Sequence, residues 1–137
     1  MSLRLVEISL TITMLGAKMK KIYVCSALRG DVEQNQKMAR VYCEYIVKEF
    51  GHIPVAPHIY FTQFLDDNID SEREFGIKAG LFLLSECDEL WYFGDQISRG
   101  MIDEICKAMG IGMKVQFIPE YKYEKYKQKG SMTYEME

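Results

Sequence analysis

CDELWYFGDQISRGMIDE, residues 87–104, is the stretch that decides the fold of this chain. Residues 90–93 form a short run of aromatic and branched side chains, which is typical of a buried strand. A polar break follows at Gly94, and a helical pattern begins at about Arg99. A buried strand that leads through a polar loop into a helix is where open α/β sheets bind ligands. Glu104 falls about 1.5 turns into that helix, so we predict that its carboxylate faces the crevice.

Outward from this stretch, strand and helix patterns alternate. The chain predicts strands at 21–26, 52–56, 88–93 and 113–118, and helices at 32–50, 70–86 and 99–109. Asp31 is suited to cap the first helix and Gly51 to end it, while Ser71 and Glu74 form a capping-box pattern at the second helix. This alternation predicts an α/β fold, a Rossmann-like (flavodoxin-like) three-layer sandwich with a mainly parallel sheet of four to five strands.

The chain predicts one folded domain between two short extensions. Residues 1–18 begin like a vector remnant, and residues 15–21 resemble a ribosome-binding region read as protein. Residues 6–14 nevertheless alternate apolar and polar side chains, which predicts an added edge strand. Residues 19–118 carry the α/β pattern, and the Tyr-, Lys- and Glu-rich residues 119–137 are predicted to be a C-terminal tail.

Composition excludes several classes of function. The chain has 137 residues, 48% of them hydrophobic and 27% charged, which fits one globular domain. A net charge of −3 argues against binding a nucleic-acid polymer, and no apolar run is long enough to span a membrane. The four cysteines are widely spaced, which favours reduced thiols and predicts a cytoplasmic protein. Neither a metal site nor a cofactor is predicted, since the metal-ligand spacings, the GxGxxG pattern and the P-loop are all missing.

The loops after the first and third strands should meet at one crevice of such a sheet. There they would gather a group of polar and small residues: Tyr23, Ser26, Arg29, Gly30, Ser98, Gly100 and Glu104. Arg29 offers planar N–H donors for phosphate or carboxylate, and Ser98 stands where a helix N-terminus favours anions. Glu104 offers a carboxylate able to attack an anomeric carbon, and Tyr23 could orient it. This set fits a nucleotide with its phosphate at one end and its sugar C1′ at Glu104.

The segments IYVCSALRGD (22–31) and SRGMIDE (98–104) resemble the nucleoside 2-deoxyribosyltransferase superfamily, and most closely its 2′-deoxynucleoside 5′-monophosphate N-glycosidase branch. The pattern is also similar to uncharacterised small domains, often from phage. The resemblance implies that Glu104 is a nucleophile at C1′ supported by Tyr23. It further implies that Arg29, Gly30 and Ser98 contact a 5′-phosphate; Gly100 keeps the family's glycine before the glutamate.

One position departs from the family. An acid on the helix before the third strand helps to protonate the leaving base in that family, and the matching position here is Gly80. The loss of this acid would remove a general-acid contribution of about 10²–10⁴-fold to the rate of glycosidic cleavage. No pattern selects a substitute among the other acids: Asp66, Asp67, Glu74, Asp95 and Asp103. The sequence therefore leaves two functions open: an enzyme acting on the N-glycosidic bond of a 2′-deoxynucleotide, or a nucleotide-binding module without catalysis.

Each candidate residue also has a simpler interpretation. Glu104 could be a solvated helix residue, Tyr23 a core residue and Arg29 half of a surface ion pair, while Ser98 can serve as an N-cap as well as a phosphate ligand. His58 is a candidate for base or sugar contact, or for a structural hydrogen bond. The aromatic residues Tyr60, Phe61 and Phe64 could stack on a base, cluster locally or form a dimer contact. The resemblance implies a homo-oligomer that binds a small-molecule nucleotide or nucleoside.

Overall fold

The computed structural model describes residues 18–127, in which strands and helices alternate. The elements in chain order are β1 (Lys21–Cys25), α1 (Val32–Phe50), β2 (Ile53–Val55), α2 (Pro57–Tyr60), α3 (Asp70–Ser85), β3 (Glu89–Phe93), α4 (Arg99–Gly110) and β4 (Lys114–Ile118), with 3₁₀ turns at Phe61–Gln63 and Glu120–Lys122. The edge strand predicted at residues 6–14 lies outside the described residues.

The described residues form a sheet of four strands in the order β2-β1-β3-β4, and every pair is parallel. Tyr23 lies in the middle of this sheet, opposite Val55 on one side and Leu90 on the other. The chain leaves β1 for β2 on one side and later returns to β3 on the other, so the strand order reverses next to β1. The Rossmann-like prediction is confirmed, and the crevice at the carboxyl ends of β1 and β3 is the position at which such sheets bind ligands.

Two hydrophobic cores lie on opposite faces of the sheet, which gives the three predicted layers. Because successive side chains of a strand point to opposite faces, Ile22 and Val24 pack in one core and Tyr23 and Cys25 in the other. The first core contains residues of α1, β3, β4 and the segment after β4: Val41, Tyr42, Tyr45, Ile46, Trp91, Phe93, Ile118, Tyr123 and Tyr126. The second contains residues of α3, β3 and α4: Leu84, Leu90, Met101 and Ala108. Tyr23 therefore points toward α3 and α4.

Most predicted helix ends are confirmed, and one is wrong. Asp31 caps α1, its Oδ1 accepting from the Gln34 backbone N–H at 3.2 Å, and Gly51 ends that helix with a left-handed φ of 68°. The predicted capping box of Ser71 and Glu74 does not form. The helix begins at Asp70, as predicted, so Ser71 lies inside the first turn, and Ile69 is the N-cap without a side-chain hydrogen bond.

Residues 57–68, which belong to none of the predicted strands and helices, contain a helical turn and a 3₁₀ turn. Pro57 occupies the first helical position of α2, where its missing N–H is not needed. The aromatic rings of this segment contact one another and α3, with centroids 5.3 Å apart for Tyr60 and Phe64 and 5.9 Å apart for Phe61 and Phe75. The three predicted aromatics thus form a local cluster.

A buried carboxylate marks the other end of the sheet from the crevice. Glu89, at the start of β3, is only 5% exposed and accepts hydrogen bonds from Lys20 Nζ at 2.7 Å and from Trp91 Nε1 at 3.0 Å. Burial raises its pKa, but these hydrogen bonds and the charges of Lys114 and Lys20 together outweigh burial and hold the pKa below its usual value. Glu89 therefore joins the strand ends on the side opposite the crevice.

The four cysteines are free thiols. Among residues 18–127, no helix combines the length and the apolar character that crossing a membrane requires.

Candidate active site

A cavity of about 630 Å³ opens at the carboxyl ends of β1 and β3, bounded by α2, α3 and α4. This volume is within the range of small-molecule sites. The cavity brings together seven of the eight predicted site residues: Tyr23, Ser26, Arg29, His58, Ser98, Gly100 and Glu104. Gly30, the eighth, does not line it; its φ of 96° places it in the loop that carries Arg29.

The Tyr23 hydroxyl donates a hydrogen bond to Glu104 Oε2 across the wall of this cavity. Tyr23 is 2% exposed, and burial together with the neighbouring carboxylate raises its pKa, so the phenol keeps its proton and acts as a donor. Burial also raises the pKa of Glu104, while hydrogen bonds from Tyr23 and Cys25 oppose that rise.

Cys25, which the sequence did not suggest as a neighbour of the site, is a buried residue that contacts Glu104 of the Tyr23–Glu104 pair. Its Sγ lies 3.7 Å from the Met101 carbonyl oxygen, and its side chain also interacts with Glu104. Burial raises the pKa of Cys25, so it is present as the thiol rather than as a nucleophilic thiolate. Its place two residues after Tyr23, on the same face of β1, is the signal that could have revealed it.

The N-terminus of α4 forms another part of the wall. Ser98 is the N-cap, and its hydroxyl accepts from the Met101 backbone N–H at 3.2 Å. A Cβ atom added at Gly100 would meet nothing within 4 Å, so this glycine leaves space beside the helix end. Backbone N–H groups at a helix start favour an anion. The side chain of Arg99, which also lines the cavity, adds positive charge there.

Arg29 is held in an ion pair. Its Nε lies 3.0 Å from Asp67 Oδ2, and the Arg29 side chain is 60% exposed. Both residues line the cavity, so the surface-ion-pair interpretation holds for Arg29 in the structure. A guanidinium has five N–H donors, and one carboxylate does not exhaust them.

His58 and Ser26 are joined by a hydrogen bond, with 2.9 Å between His58 Nε2 and Ser26 Oγ. The structural hydrogen bond considered for His58 is therefore present. Burial lowers the pKa of His58 to about 4, so the ring is neutral at physiological pH. Two neutral polar groups are thereby fixed on the cavity wall between β1 and α2.

Gly80 lies directly against the Tyr23–Glu104 pair. A Cβ atom added to Gly80 would lie 3.4 Å from the Tyr23 Oη, and Gly76 lines the cavity one turn earlier on α3. Of the acids considered as substitutes, Asp67 and Asp103 line this cavity and Asp95 lines another one, whereas Asp66 and Glu74 line neither.

Glu72 and Arg73 line the cavity and were missed by the sequence analysis. Glu72 Oε1 accepts from the Asp66 backbone N–H at 2.9 Å. Glu72 and Arg73 lie on the same face of α3 as Gly76 and Gly80, at helical spacing. That spacing is the signal from which the sequence analysis could have found them. Phe61 is the only member of the predicted aromatic trio among the lining residues of the described chain.

Another cavity, of about 370 Å³, lies beyond the Arg29 loop and shares Ser26 and Arg29 with the first. Its wall includes Tyr42, Gly94 and Tyr123. Within the described part of the chain, no three His, Cys, Asp or Glu side chains are grouped as a metal ion would require.

Comparisons with known proteins give one matching family model and a similar solved structure. The model of a family described as a domain of unknown function (DUF7768) matches residues 20–118. A search of curated proteins gives no match. Among solved structures, the chain is similar to a 2-deoxyribosyltransferase from the psychrotolerant bacterium Bacillus psychrosaccharolyticus, with a TM-score of 0.59 and 20% identity over 73% of this chain and 72% of that one. This likeness concerns the fold.

Proposed function

Because the chain belongs to the DUF7768 family and shares its fold with a 2-deoxyribosyltransferase, we propose that it cleaves or transfers the N-glycosidic bond of a 2′-deoxynucleoside, with the 5′-monophosphate favoured. The observation that carries the proposal is the hydrogen bond from Tyr23 to Glu104 at the edge of a ligand-sized cavity. Glu104 lines this cavity, so its oriented carboxylate is accessible to a bound substrate.

In this proposal, Glu104 attacks C1′ of the sugar and the base departs. The resulting glycosyl ester is then resolved by water, which gives hydrolysis, or by a second base, which gives transfer. The Tyr23 hydroxyl fixes the orientation of the carboxylate and remains protonated throughout.

The remaining cavity residues suit the other parts of a nucleotide. The N-terminus of α4, with Ser98 and Arg99, favours a phosphate, and Arg29 can contribute the N–H donors that Asp67 does not occupy. Ser26 and His58 offer neutral polar groups for the sugar or the base. The preference for a 5′-monophosphate rests on these groups and on the resemblance of the motifs.

Incubation with the deoxynucleoside 5′-monophosphates, scored for free base by chromatography with and without an acceptor base, tests the proposal. The wild type should release base, Glu104→Gln should not, and the control Glu74→Gln should retain the wild-type rate. Glu74 is an exposed helical glutamate outside the cavity, so it matches Glu104 in residue type alone. Equal base release by the wild type and Glu104→Gln would refute the mechanism.

A nucleotide-binding module without catalysis is the second candidate. Gly80 favours it, since no acid side chain stands at this position beside Tyr23. Calorimetry with the same monophosphates separates the two functions. Saturable binding that Arg29→Ala weakens, without base release by the wild type, would support the module.

We propose further that the chain forms a homo-oligomer through the aromatic cluster of α2 and the following turn. Tyr60 is 60% exposed and Phe64 58% exposed, although both rings are large and apolar. Light scattering should show a smaller assembly for Phe64→Ser than for the wild type. An unchanged mass would remove this cluster from the interface. The cytoplasmic location stays a prediction.

A further inference from the structure

The cavity contains several polar groups, yet two of them, Tyr23 and His58, are poorly suited to protonate a leaving base. The Tyr23 hydroxyl already donates its proton to Glu104. His58 is hydrogen-bonded to Ser26, and with a pKa of about 4 its ring does not carry an acidic proton at neutral pH. Neither residue can therefore serve as a general acid without breaking its present interaction.

The other carboxylates that line the cavity are engaged as acceptors or exposed to water. Asp67 accepts from Arg29, and Glu72 accepts from the backbone of Asp66. Asp103 is exposed, and its charge adds to burial in raising the pKa of Glu104. Within residues 18–127, none of these three carboxylates is held by a contact that would keep it protonated as an acid for the leaving base.

The wall beside Glu104 is formed partly by the backbone of α3. Gly76 and Gly80 lie one turn apart on this wall, and a Cβ atom at Gly76 would meet nothing within 4 Å. A flat ring can approach such a surface closely. Phe61 lines the same cavity, and the face of an aromatic ring attracts cations.

A neutral nucleobase departs as an anion unless it is protonated, and a missing general acid lowers its rate by about 10²–10⁴-fold. A base that already carries a positive ring nitrogen departs as a neutral molecule, so it needs no proton. The negative charge of Asp103, which acts on Glu104, also favours a cation over a neutral ring at this end of the cavity. The chemistry of the cavity therefore suits a cationic leaving group better than a neutral one.

We propose that the substrate is a nucleotide whose base is cationic, either an N-alkylated purine or a pyridinium. The inference rests on the proposed function, since it assumes attack by Glu104 at C1′. One Glu104 oxygen bonds to C1′ as the C1′–N bond breaks, and the electron pair of that bond neutralises the ring nitrogen. Water then hydrolyses the ester, which restores the carboxylate and releases one proton to solvent.

Two matched substrate pairs test this inference. The first is 7-methyl-2′-deoxyguanosine 5′-monophosphate against 2′-deoxyguanosine 5′-monophosphate, at mildly acidic pH where the methylated ring is cationic. The second is the 2′-deoxyribose 5′-monophosphate of nicotinamide against its reduced, uncharged form. Uncatalysed release is measured for each compound, and the Glu104→Gln protein serves as the inactive control.

The cationic member should have a kcat/KM at least about 10²-fold higher than its neutral partner, and its rate enhancement over uncatalysed release should be no smaller. The pair with the larger ratio identifies the base as purine or pyridinium. A larger enhancement for the neutral member would show that an acid protonates the base, and would overturn the inference while the proposed function stands. If no compound released base, both proposals would fail.

Discussion

The Tyr23–Glu104 contact combines two opposed effects on one carboxyl group. Burial favours the neutral acid, whereas hydrogen bonds from Tyr23 and Cys25 favour the carboxylate. The effect of burial is the larger one, so the pKa of Glu104 is raised. A nucleophile must be ionised, so the site is expected to lose activity at acidic pH before an exposed glutamate would be protonated. The raised pKa also means that the ionised Glu104 lowers the free energy of unfolding at neutral pH.

Replacing Glu104 with Gln should stabilise the protein at neutral pH while it lowers activity by at least about 10³-fold. A raised folded-state pKa means that Glu104 favours folding only below its unfolded value of 4.5 and disfavours it as the pH rises through the folded pKa. Urea unfolding at pH 7 and at pH 4 measures the difference, which should be positive at pH 7 and vanish at the lower pH. A variant less stable than the wild type at pH 7 would contradict this.

His58 should make stability pH-dependent in the opposite sense. Its folded pKa of about 4 lies below the usual histidine value of 6.5, so its contribution is full above pH 6.5 and is lost as the pH falls toward 4; the gap corresponds to roughly 3 kcal/mol. His58→Gln, which keeps a polar group near Ser26, should flatten the stability curve between these pH values. Urea unfolding across that range measures it, and parallel curves for the two proteins would refute the assignment.

At the scale of elements, the start of α4 combines a cap with a candidate phosphate contact. Ser98→Ala should cost about 1 kcal/mol of stability, and it should also raise KM for a monophosphate. Asp31→Ala is the matched control, because Asp31 caps α1 in the same way and does not line the cavity. Its loss of stability should be similar and its KM unchanged.

Chemical denaturation and steady-state base release on both cap variants measure the two effects separately. Ser98→Thr, which keeps a hydroxyl, should restore KM toward the wild-type value. Identical KM values for Ser98→Ala and Asp31→Ala would reduce Ser98 to a helix cap.

The elements also show how far the sequence could lead. Tyr23 and Glu104 were predicted as neighbours because strand alternation and the reversal of strand order are encoded in local patterns. An ion pair was one interpretation of Arg29, but its partner Asp67 was not predicted, since the two residues lie in separate loops that only the folded chain brings together. The capping box failed at Ser71 because the N-cap lies two residues earlier, at Ile69, which places Ser71 inside the first turn.

On the scale of the whole molecule, the sheet separates two hydrophobic cores. The core that contains Tyr23 packs against the site, and the other core lies on the opposite face of the sheet. Leu84 on α3 belongs to the cluster of Tyr23, Cys25 and Met101, whereas Ile46 on α1 belongs to the cluster of the opposite face. Both residues are 0% exposed, so they form a matched pair of core positions. Their effects on stability should be alike and their effects on the site should differ.

Leu84→Ala and Ile46→Ala should each lower the free energy of unfolding by about 2–5 kcal/mol, since each leaves a cavity in a packed core. Leu84→Ala alone should also lower kcat/KM, by up to about 10²-fold, because small displacements of Tyr23 and Met101 misplace the Glu104 carboxylate. Urea unfolding, with base release measured at a temperature where both variants are folded, distinguishes the two effects. An equal loss of activity in both variants would mean that the sheet does not insulate the site from the opposite core.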